Sequence, residues 1–229
     1  MPKTTTKTKG IILPGGDQAV RAFLAGTLRS FVVPIAPQPP DGYGTDPDEP
    51  GHGSPPYLFV HSKAGAGREG IVARCPFRVG ETRWLKEAWR AWERDPDGLD
   101  HIWYRADDFK RKIPNTTYAG DFVVGRFSDW HPASTMPRWA SRFTLTITSV
   151  KPVRVSEMSE GEIQSCGIER LELSPSPYFS EHHGIKMYGH PLTSTYGAAF
   201  QKWFTTTFPR HDFATAWGWL VSVSKGEKP

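Results

Sequence analysis

Residues 143–150 read FTLTITSV. Phe143, Leu145 and Ile147 alternate with Thr144, Thr146 and Thr148, a period of two that suits an extended chain and not a helix. The segment therefore predicts a half-buried strand. A second alternating run closes the chain, with Trp217, Trp219, Val221 and Val223 in TAWGWLVSV. Shorter apolar runs, IILP, FVVPI, YLFV at 57–60 and HIWYRA at 101–106, predict further strands, and GDFVVGRF at 120–127 is a strand or a lid. In HIWYRA, Ile102 and Tyr104 share one face and His101, Trp103 and Arg105 the other.

Three segments predict helices. In GDQAVRAFLAGT, Asp17 is an N-cap candidate, Val20, Phe23 and Leu24 share a face, and Gly26 stands where a C′ glycine stops a helix. Ser159 with Glu162 three residues on forms a capping box for a short helix ending near Gly167. Tyr196, Phe200, Trp203 and Phe204 follow helical spacing. The run 79–95, VGETRWLKEAWRAWERD, fits both a helical stripe through Trp84, Leu85, Ala88 and Trp92 and local alternation, and propensity favours helix.

Two stretches lack periodicity. Residues 36–56 and 171–195 are rich in turn formers and read as long irregular insertions in a single domain over 11–225. Residues 1–10, MPKTTTKTKG, read as a basic disordered tail without the apolar core of a signal peptide. No stretch approaches a membrane span, and two cysteines, Cys75 and Cys166, point to a reducing, cytoplasmic setting with no disulfide framework. Short strands separated by few helices, without βαβ units, predict an α+β fold built as a small mixed β-barrel with flanking short helices.

Net charge is +4, which permits nucleic acid without requiring it; the densest basic run is KRK at 110–112. The nine tryptophans and seven tyrosines can fill a core, line a pocket or stack on bases. P-loop, dinucleotide, nucleophile-elbow and HExxH signatures are absent, and AGAGREG at 64–70 reads as a loop. No histidine and cysteine grouping has zinc spacing, and His182, His183 and His190 read as a surface loop, so neither metal nor cofactor is expected.

Glu87 lies between Trp84 and Trp89. Burial there suits a general acid or base; an exposed pairing with Arg83 or Arg90 is the structural alternative. Arg29, beside Ser30, can hold an anion or act as surface charge. Trp103 can stack on a base or pack under a loop. His131 can touch a ligand. Arg138 and Arg142 flank Trp139 and either bind phosphate or carboxylate, or brace loop carbonyls while Trp139 seals a core.

Several pieces in order, DQAVRAFLAG followed by Arg29, FRVGETRWLKEAW, WHPASTMPRWASRFTLTITSV, MSEGEIQSCGI and AWGWLVSV, resemble the phage and prophage branch of the ASCH domain family in the PUA-like superfold. The resemblance implies a small β-barrel, a cleft near the first helix, recognition of RNA or modified nucleotides, and a strand over 84–89. Small bacterial members hydrolyse N4-acetylcytidine with a lysine, a threonine and a glutamate. Glu87 matches the glutamate of this branch, whereas Leu28 stands at the lysine position, Arg29 and Phe31 stand at the threonine positions, and a one-residue slip brings Arg29 and Ser30 near them.

The resulting expectation is a barrel-side cleft that binds RNA, DNA or a modified nucleotide through Arg29, Trp84, Trp103, His131, Arg138 and Trp139. The first alternative is a hydrolase on a modified nucleoside, with Glu87 activating water and Arg29 or Ser30 stabilising the oxyanion. The second is a phage accessory protein that meets a protein partner through the two insertions, around Tyr178 and Tyr188.

Overall fold

The computed structural model describes residues 9–40, 44–45, 57–62, 68–92, 101–112, 130–169 and 196–226. The expected strand or lid at 120–127, the 171–195 insertion with Tyr178 and Tyr188, and His182, His183 and His190 lie outside them.

The chain runs β1 (Gly10–Ile12), α1 (Gly16–Leu24), β2 (Ser30–Pro34), β3 (Gly44–Thr45), β4 (Tyr57–Ser62), β5 (Arg68–Ala73), β6 (Thr82–Lys86), β7 (Trp89–Trp92), β8 (His101–Tyr104), β9 (Phe109–Lys112), β10 (Thr144–Arg154), α2 (Glu160–Ser165), α3 (Tyr196–Thr207) and β11 (Trp217–Gly226). These strands form three sheets: a five-stranded one ordered β1-β6-β10-β11-β2, and two three-stranded ones, β3-β4-β5 and β7-β8-β9. All pairings are antiparallel except β1 on β6.

The period of two divides the large sheet's side chains between two cores. Phe31, Leu145, Ile147, Trp219 and Val221 face one cluster, which the Val20 and Phe23 face of α1 covers. Val32 and Leu220, one residue out of step, face a second cluster with Ile163 of α2 and Phe200 and Phe204 of α3. Residues 217–221 of β11 are therefore all buried, although the strand alternates. A third cluster, with Trp84, Trp89, Ile102, Tyr104 and Met136, joins β6 to the β7-β8-β9 sheet.

The expected barrel is corrected. The five-stranded sheet is open, its outer strands β1 and β2 pair only inward, and neither smaller sheet closes. The chain between those two edges is α1, and α2 binds beside β2 through a Leu28–Cys166 bridge and an Arg29 N–H donated to the Ser165 carbonyl. With helices on both faces, the sheet buries its apolar rows without curling on itself. Among the described residues, the PUA-like barrel of the ASCH resemblance is absent, and with it a barrel-side cleft.

Several local readings change as well. Gly15 caps α1, while Asp17 turns to Arg105, its Oδ2 accepting from Nε at 2.5 Å. Gly26 has φ +76°, the left-handed conformation of a C′ residue. The Ser159–Glu162 capping box forms, and Glu162 also binds Lys151. Residues 79–95 hold no helix among the described residues: β6 and β7 belong to different sheets, and the expected strand over 84–89 breaks at Glu87–Ala88. The 36–56 insertion is not wholly irregular. Gln38 donates to the Ile35 and Trp217 carbonyls and accepts from the Trp217 N–H, and β3 pairs with β4. No helix among the described residues is long and apolar enough to cross a membrane.

Candidate nucleic-acid interface

The β7-β8-β9 sheet begins where the chain leaves the large sheet. Glu87 stands at that junction, 1 % exposed. Its partner is neither Arg83 nor Arg90. Arg142, just before β10, donates from Nε to Oε1 at 2.8 Å and from Nη2 to Oε2 at 2.7 Å. The same guanidinium donates to both oxygens of Asp107, in the β8–β9 turn, at 2.8 and 2.7 Å. Its Cζ lies 4.2 Å from the Tyr104 ring centroid, with Phe109 and Phe143 at 5.2 and 5.1 Å.

Burial pushes the Glu87 carboxyl up from its ordinary value, against the pull of the Arg142 hydrogen bonds and charge. Burial also acts against the Arg142 charge, but the bonds to the two carboxylates more than offset it and raise that group further. Asp107, nearer water, is held below the usual carboxylate range: its slight burial is outweighed by the Arg142 bonds. Burial drives the Tyr104 hydroxyl up to about 12, and it donates to the Ala140 carbonyl at 2.6 Å. A cation held by four hydrogen bonds and three rings is a brace between the two sheets.

The other face of the small sheet has a different character. Register pairs Trp89 with Tyr104 and Phe109 in one cross-strand row, and Arg90 with Trp103 and Lys110 in the next. Adjacent rows point to opposite faces; Trp89 and Tyr104 are core, so Arg90, Trp103 and Lys110 face away from it. On the far side of β7, Trp89 and His131 exchange backbone hydrogen bonds as an antiparallel bridge. One residue along, that register sets Trp130 beside Arg90. The row therefore reads Trp130, Arg90, Trp103, Lys110, aromatic and cation in turn. The Arg90 guanidinium carbon lies 4.7 Å from the Trp130 ring centroid and 4.5 Å from that of Trp103, and Lys110 Nζ lies 5.7 Å from Trp103. Lys110 is exposed; the other three are half-buried.

The remaining expected residues divide. Trp84, Trp139 and His131 gather under this sheet. Trp84 is core, His131 tilts onto Trp89 at 4.9 Å, and Trp139 meets Trp89 edge-on at 6.5 Å. The Trp139 carbonyl accepts from Arg111 Nη2 at 3.3 Å. Arg138 is exposed on the single turn Arg138–Ala140. Arg29 is exposed beside α2, with Nε 3.5 Å from the Gly26 carbonyl, and the buried Ser30 bonds Ser222 at 3.1 Å. Among the described residues, no hydrogen bond or ion pair joins Arg29 or Ser30 to Glu87.

Sequence reasoning found Trp103 but missed Arg90, Trp130 and Lys110 as its neighbours, and missed Arg142 and Asp107 as partners of Glu87. The KRK run and the WRAW and HIWY segments were the available signals; only strand register turns them into a row.

No protein-family model, curated protein or solved structure matches this chain, so the family resemblance rests on its motifs alone and lacks the barrel it implies.

Proposed function

We propose that this protein binds nucleic acid through the outer face of the β7-β8-β9 sheet. The carrying observation is the Trp130–Arg90–Trp103–Lys110 row, which alternates ring faces with cations across about 14 Å, three strand spacings. Lysine and arginine answer phosphate charge, and indoles offer stacking surfaces to bases. The net charge of +4 agrees in sign.

This geometry favours binding over hydrolysis. Both Glu87 oxygens are held by Arg142 in a buried ion pair, which makes Glu87 a bracing group and not a base facing a substrate. The free thiols Cys75 and Cys166, which burial pushes up to about 11 and about 12, suit a reducing cytoplasm.

The test is fluorescence anisotropy with labelled mixed-sequence RNA, supplied both as single strand and as duplex, across a salt titration. Binding should weaken steadily with salt, and Lys110→Gln should lower the salt slope by about one phosphate contact. Lys202→Gln, an exposed change on α3, serves as the control. Absence of binding to either form at low salt overturns the proposal.

A further inference from the structure

No further inference is drawn: the strongest candidate, the N-terminus of α1 at Gly15 and Gly16, which has no side-chain cap and lies against the half-buried Trp203 indole, is a helix terminus alone, and nothing else among the described residues points to a ligand there.

Discussion

Arg142 grips both oxygens of Glu87 from 55 residues away in the chain. Glu87 lies between β6 of the large sheet and β7 of the small one, and Arg142 leads into β10, so the pair crosses the junction on which the candidate interface is mounted. Removing Arg142 leaves the buried Glu87 carboxylate without its partner, whereas removing Glu87 leaves Arg142 still paired with Asp107. Arg142→Met should therefore destabilise the protein by about 3–5 kcal/mol. Glu87→Gln with Arg142→Met should be less harmful than the sum of the two single changes, because Glu87→Gln removes the buried carboxylate that Arg142→Met strands. Urea unfolding of the four proteins in this cycle gives the coupling; simple additivity would show that the ion pair does not brace the junction.

The pH dependence has a definite sign. Asp107 and Glu162 are both held below the usual carboxylate range, in spite of some burial, by Arg142 in one case and by Lys151 and Ser159 in the other. Groups with lowered folded values contribute stability that is present above about pH 4, the unfolded value, and is lost as pH falls through the folded value. Glu87, raised by burial, acts in the opposite sense: its contribution is present below its unfolded value and diminishes as pH rises through the folded one. The thermal midpoint should therefore fall steeply on the acid side of pH 4, and Asp107→Asn should flatten that fall. An unchanged acid limb in Asp107→Asn would mean that Asp107 does not carry it.

Tyr104 supports the same junction in two ways, with its ring under Arg142 and its hydroxyl on the Ala140 carbonyl. Tyr104→Phe keeps the ring and deletes the donor, leaving a carbonyl in the buried Ala140 region without it. A loss of about 1–3 kcal/mol is expected, measured by chemical denaturation, while nucleic-acid affinity at a temperature where the variant is folded should hold. A large drop in affinity with little loss of stability would place Tyr104 at the ligand instead.

Gly218 in β11 tests the two-core arrangement of the large sheet. A Cβ there would lie 2.7 Å from Val32 Cγ1 and 3.3 Å from Val155 Cγ2. Both are fully packed side chains of the second cluster, so neither can give way freely. Gly218→Ala should cost about 1–3 kcal/mol through overpacking. A neutral result in thermal unfolding would show a looser second core than the packing indicates.

Much of the secondary structure was legible in local order. The alternation at 143–150 and 217–223, the helical spacing in 17–24 and 196–204, and the Ser159–Glu162 box each depend on neighbours within a turn or two, and each formed. Residues 79–95 read toward helix because apolar residues three and four apart, from Trp84 and Leu85 through Ala88 to Trp92, satisfy a helical stripe, whereas Trp84 and Trp92 lie in two different sheets on either side of Glu87. Trp103 was readable as outward-facing, since Ile102 and Tyr104 are apolar neighbours of opposite parity. That Arg90, Lys110 and Trp130 stand beside it followed from strand register, and that Glu87 belongs to Arg142 followed from the meeting of segments 55 residues apart. Local composition sets which face of a strand is apolar; long-range pairing sets which other strand lies alongside, and open or closed sheets have the same alternation. The barrel expectation failed for that reason: strand count and period are local, but closure depends on whether the two edge strands meet, and in this fold β1 and β2 are linked through α1 and do not pair.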